Sequence, residues 1–168
     1  MKELIISVFI VICCLSAGIA RADEPAQCQA RLFHIGKSTN GNVVMYELNQ
    51  DQNGGISSKE PVGMYWIYSD QKIENLTWLE KKLAYGIKYL SKNKGEFYVT
   101  SVPEKIVELD ERNGCIRAYT VIAGELAELE EVFVNATGSG ITTNVISINL
   151  KGKTISGEPV TETLKKGS

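Results

Sequence analysis

Short runs of β-branched and aromatic residues, separated at regular spacing by Asn-Gly, Gly and Pro turn signals, constrain this chain most, because they leave room for strands and little else. Phe33 and Ile35 share one face of a period-2 segment, Thr39-Asn40-Gly41-Asn42 reverses it, and Val44, Tyr46 and Leu48 continue that face. This reading sets Ser38 opposite Val43 and His34 opposite Glu47. The second face then runs His34, Gly36, Ser38, Val43, Met45 and Glu47, a mixture rather than a plain solvent face.

Pro61 closes a polar loop, and Val62 to Tyr68 carries apolar or aromatic side chains on both faces, which predicts a central strand. Thr77-Trp78-Leu79-Glu80 has capping-box spacing, Leu79 and Leu83 share a face and Gly86 suits a stop, so one short helix is expected over about 77–86. Strand signals return at Tyr85 to Leu90 and at Glu96 to Val102, which Pro103 ends. Asn113-Gly114 joins Ile106–Glu111 to Cys115–Ile122 in a hairpin. That turn sets Asp110 against Arg117 and gathers Val107, Leu109, Ile116 and Ala118 on the other face. Glu125 to Val134 has helix-favouring Glu, Leu and Ala but ends in Val132-Phe133-Val134 and is read as a strand. A last hairpin, Thr142–Leu150 with Thr154–Thr163, is expected to turn at Lys151-Gly152 and set Ile148 against Ile155. The fold class that follows is all-β: one antiparallel sandwich or small barrel of about ten strands with a single short helix.

The N-terminus bounds the rest. Lys2 precedes an apolar run from Leu4 to Ala20, and Ala20-Arg21-Ala22 is a small-x-small cleavage site, so residues 1–22 read as a secretory signal peptide. The run is short for an uncleaved anchor, so no stable membrane span is expected after cleavage. The expected address is the periplasm or the extracellular space. Residues 23–164 form a single β-rich domain and 165–168 a polar tail. Lys2, Arg21 and Glu3 leave with the signal, so 18 basic residues become 16, 20 acidic residues become 19, and the net charge is −3. That balance gives no reason to expect nucleic acid as a partner. Cys13 and Cys14 leave as well, and the remaining Cys28 and Cys115 are expected to pair in an oxidising compartment, adding roughly 3 to 5 kcal/mol by constraining the unfolded chain.

Three patterns bear on chemistry. Asn49 to Glu60 follows an EF-hand loop, with Asn49, Asp51, Asn53, Ser57 and Glu60 at oxygen-ligand positions, Gly54 at the sharp turn and Ile56 two residues on. Asn in place of Asp at the first position and strand-like flanks weaken it, and a solvated Asn/Asp/Gly loop is the competing reading. Calcium is thus the one cofactor the sequence offers. His34 and Glu47, as a cross-strand pair, are the candidates for acid–base catalysis, with a merely structural pair as the alternative. Tyrosines and tryptophans offer a ligand cavity, although strand preference alone explains them. His34, Ser38, Met45, Glu47, Tyr65 and Trp66 are the ligand-facing candidates. Lys81, Lys82, Lys88, Lys92 and Lys94 oppose an acidic stretch from Glu104 to Glu131, a separation that suits either a partner face or solvated charge.

Leu32–Asn49, the Gly-containing loop after it, Pro61-Val62-Gly63-Met64-Tyr65-Trp66-Ile67 and Leu79-Glu80-Lys81-Lys82-Leu83-Ala84-Tyr85-Gly86 together give the chain a form that resembles a secreted family, domain of unknown function 4833. The resemblance implies a compact, mainly β domain and carries no catalytic residues with it. The leading expectation is an exported, non-enzymatic domain that binds a small ligand or a protein partner. A hydrolase or lyase using His34 and Glu47 is one alternative, and a calcium-stabilised structural domain is the other.

Overall fold

The computed structural model describes residues 28–138 and 142–165. The signal peptide read over 1–22 lies outside them, as does most of the tail. Eleven strands are formed among the described residues: β1 (Arg31–Lys37), β2 (Asn40–Leu48), β3 (Val62–Ile67), β4 (Ile73–Asn75), β5 (Ile87–Ser91), β6 (Glu96–Val99), β7 (Val102–Arg112), β8 (Cys115–Ile122), β9 (Glu125–Thr137), β10 (Asn144–Thr154) and β11 (Pro159–Lys165). Between β4 and β5 lies the helix α1 (Trp78–Glu80), which widens into a π-helical turn over Lys81–Tyr85.

β9 organises the sheet. Along one edge it pairs with β10 from Ala127 to Thr137. Along the other it pairs first with β8, through Glu125 to Glu128, and then with β1, through Glu131 to Val134. At the change of partner Glu130 is an extra residue, since Lys151 opposes Glu131 while the next residue, Gly152, opposes Leu129. A bulge of this kind bends and twists its strand. Two wings, β1-β2-β3-β4 and β8-β7-β6-β5, therefore leave β9 in succession and curl toward each other as a half-barrel. They meet where Phe33 stacks on Tyr46 at 4.4 Å and lies 6.4 Å from Phe97, and where the Val62 amide donates to the Tyr89 hydroxyl at 3.2 Å. Tyr46 and Phe97 are fully buried there, each worth about 1.5–3 kcal/mol of apolar burial.

Among the described residues the all-β reading with one short helix holds, and Glu125 to Val134 is strand. The β7–β8 hairpin turns on Asn113 and Gly114, both at positive φ, with Asp110 opposite Arg117. Several local expectations are corrected. The pairing of β1 with β9 is parallel, so the sheet is mixed rather than purely antiparallel.

The first hairpin turns earlier, with Lys37 opposite Asn40, and its register places Gly36 against Val43 and His34 against Met45. Ser38 is drawn away to β9: its amide donates to the Val134 carbonyl, and its hydroxyl donates to the Ala136 carbonyl and accepts from the Ala136 amide. β3 is not central but next to the edge, covered only by the three-residue β4. Pro103 sits inside β7, because the Thr100 amide is held by the Gly86 carbonyl and the Ser101 amide by the Ala84 carbonyl, which moves the reversal ahead of it.

The last hairpin turns at 155–158, where Gly157 has positive φ, and Ile148 opposes Leu164. Gly152 lies within β10 for a different reason: a Cβ there would sit 2.2 Å from the Glu128 carbonyl oxygen. Asp110 and Arg117, although opposite, form other ion pairs, Asp110 with Arg112 at 2.9 Å and Arg117 with Glu128 at 3.3 Å.

Candidate functional site

The helix begins as its sequence dictates. The Thr77 hydroxyl accepts from the Glu80 amide at 3.3 Å, while Glu80 Oε2 accepts from the Thr77 amide at 2.7 Å and the Thr77 hydroxyl at 2.8 Å. It ends at Gly86, where a Cβ would stand 1.9 Å from the Lys81 carbonyl oxygen, so only glycine lets the chain pass that carbonyl. Two further bonds fasten the helix to the curled sheet. Trp66 Nε1 donates to Glu80 Oε1 at 3.1 Å, and the Tyr46 hydroxyl donates to the Tyr85 carbonyl at 2.7 Å. Burial pushes the Tyr46 hydroxyl's pKa well up, so it remains a neutral donor.

The helix does not lie flat. Between it, the end of β1, the C-terminal part of β9 and the start of β10 is a cavity of about 320 Å³, lined mainly by Trp66, Leu79, Leu83, Tyr85, Val134 and Val145. Leu79 and Leu83, the face that helical spacing marked as apolar, are 49% and 60% exposed at its mouth instead of packed. Trp66 meets Tyr85 edge-on at 5.0 Å in its wall. Lys37, Glu80 and Ser101 contribute polar groups. Volume and lining fall at the lower end of the range for small-molecule sites.

The residues singled out from the sequence separate into three groups. Trp66 faces this cavity. Ser38 is spent on β9. His34, Met45, Glu47 and Tyr65 lie on the opposite face of the sheet, where Met45 opposes both His34 and Tyr65. The Tyr65 hydroxyl donates to Glu47 Oε1 at 2.7 Å, whereas His34 Nε2 stands 3.7 Å from Glu131 Oε1, so the carboxylate beside His34 comes from β9 and not from β2. Lys151 also reaches Glu131, at 2.6 Å, and Lys153 reaches Glu130 at 2.6 Å. Beside His34 and Met45 this face opens into a broad depression of about 620 Å³, where Arg31 and Arg117 stand with Glu128 and Glu130.

The loop at 49–60 bonds to itself. Asp51 Oδ1 accepts from the Asn53 and Gly55 amides at 2.8 and 3.0 Å, and Asn49 Nδ2 donates to the Glu60 carbonyl at 3.0 Å. Such Asx bonding is the ordinary chemistry of an Asn/Asp/Gly loop. Among the described residues no three His, Cys, Asp or Glu side chains gather closely enough to hold a metal. Cys28 and Cys115 form a disulfide with Cα atoms 5.4 Å apart, joining the segment that enters β1 to the start of β8, the two strands that share an edge of β9. Among the described residues no helix is long and apolar enough to cross a membrane.

Sequence reasoning did not find Lys37, Glu80 or Ser101 as site residues, while Tyr85 was among the tyrosines it offered for a cavity. The usable signal was Leu79 and Leu83: an apolar pair on a two-turn helix needs something to lie against.

A curled, mixed β half-barrel with a small apolar cavity under the one helix of the described residues is the class of domain these features define. The chain belongs to the family described as domain of unknown function 4833, whose model matches residues 33–163. No curated protein and no solved structure matches the chain.

Proposed function

We propose that this protein is an exported binding domain that takes a small, mainly apolar molecule into the cavity between α1 and the curled sheet. One observation carries the reading: a cavity of about 320 Å³ with apolar walls opens beside Leu79 and Leu83, which the fold leaves uncovered. Apolar walls favour a guest that removes its own apolar surface from water, at about 25 cal/mol per Å² buried. The signal-like N-terminus supports export. The hydrolase or lyase reading needs His34 and Glu47 to act on one proton path, and the β1–β2 register sets His34 against Met45 instead.

The uncharged fluorophore N-phenyl-1-naphthylamine tests the proposal. Saturable brightening that is lost in Leu83→Arg, with the melting transition retained, is the expected result. A linear, non-saturating response in the native protein overturns it.

A further inference from the structure

We propose that the guest of this cavity is an amphiphile with one anionic head group, of the fatty-carboxylate kind, held at the rim by Lys37. The inference rests on the cavity reading above and specifies the ligand class of that same site. Lys37 and Glu80 are the charged residues of the cavity wall, and their situations differ. Both oxygens of Glu80 are occupied, Oε1 by the Trp66 indole and Oε2 by the Thr77 amide and hydroxyl. Those three bonds take most of its acceptor capacity and hold the helix to its cap and to the sheet.

Lys37 closes β1, and no hydrogen bond or ion pair engages its ammonium among the described residues; its charge is felt by the Glu80 carboxylate. Ser101 adds a second unmet demand, since its hydroxyl oxygen is shielded from solvent without a hydrogen-bond partner. A buried hydroxyl left unmatched is unfavourable, and a bond to an ionised acceptor is among the strongest remedies.

Three guest chemistries can be ranked on these facts. A cationic head would be repelled by Lys37 and would meet a Glu80 carboxylate whose charge three donors and Lys37 already offset. A neutral hydrocarbon would bury its body but leave the ammonium without a direct hydrogen bond or ion pair. An anionic head gives Lys37 a direct ion pair, while the chain lies against Trp66, Leu83 and Val134. The volume suits one short chain rather than a two-chain lipid.

The test uses Trp66 fluorescence in a Trp78→Phe background, which leaves Trp66 as the reporter, since the chain has two tryptophans. Three probes share one tail: decanoate, 1-decanol and decyltrimethylammonium, at pH 7. Decanoate is expected to bind about tenfold more tightly than decanol, the margin of one charge-assisted contact, with the ammonium weakest. Lys37→Met should lower decanoate to the affinity of decanol, and a retained thermal melting transition reports that the variant is folded. Equal binding of decanoate and decanol by the native protein, or an unchanged ratio in Lys37→Met, overturns the head-group assignment and leaves the cavity reading standing. Absence of a saturable response to all three probes overturns both.

Discussion

The Trp66 indole donates to the Glu80 carboxylate at 3.1 Å, so the residue that caps the helix also ties it to the sheet beside the cavity. Burial alone would raise the pKa of Glu80, but bonds from the Thr77 amide and hydroxyl and from Trp66 outweigh it and hold the carboxyl below its ordinary value. A group depressed in this way contributes stability that is complete above its unfolded-state pKa and is lost as pH falls through the folded-state pKa. Glu80→Gln is therefore expected to cost about 1 kcal/mol at neutral pH, the size of a cap contribution. The gap from the native protein should close in acid. Denaturant melts at a series of pH values measure it, and a gap that widens on acidification contradicts the assignment.

The disulfide joins residues 87 apart in sequence. Replacing both Cys28 and Cys115 by Ser should lower stability by roughly 3 to 5 kcal/mol in the chain-entropy model. Native mass spectrometry with and without reductant checks the bond, and urea melts check its effect. Two free thiols in the native protein would remove the bond from this account.

Gly152 and Gly41 make a controlled pair. A Cβ at Gly152 would lie 2.2 Å from the Glu128 carbonyl, whereas at Gly41 the nearest atom, Ser69 Cβ, is 3.6 Å away. Gly152→Ala should destabilise by about 2 kcal/mol or more, because backbone must shift, and Gly41→Ala by well under half of that. Similar melting temperatures for the two variants would mean that β10 does not cross β9 this closely.

His34 and its two possible carboxylate partners can be compared by double-mutant cycles. His34→Ala with Glu131→Gln should show a coupling of a few tenths of a kcal/mol, as expected for a half-exposed pair 3.7 Å apart, and His34→Ala with Glu47→Gln should be additive. Coupling to Glu47 instead would restore the register in which those two residues oppose each other.

What the sequence by itself determined was local. Alternation marked the strands, Asn113-Gly114 set its own hairpin, and Thr77 and Glu80 announced the helix start, because each depends on residues a few positions apart. Two lone cysteines beyond the expected signal peptide gave the crosslink as the pairing expected in an oxidising compartment. The tertiary structure decided what local chemistry leaves open. Ser38 could bond within its hairpin or to β9; its capture by Ala136 set the turn and, with it, the neighbours of His34. Glycine at 152 reads as a turn until β9 is laid across it. The cavity is the extreme case, since Lys37, Trp66, Leu83, Ser101, Val134 and Val145 come together only when both wings curl around the bulge at Glu130. A cavity is space left between surfaces that distant segments provide, and no window of sequence contains those surfaces together.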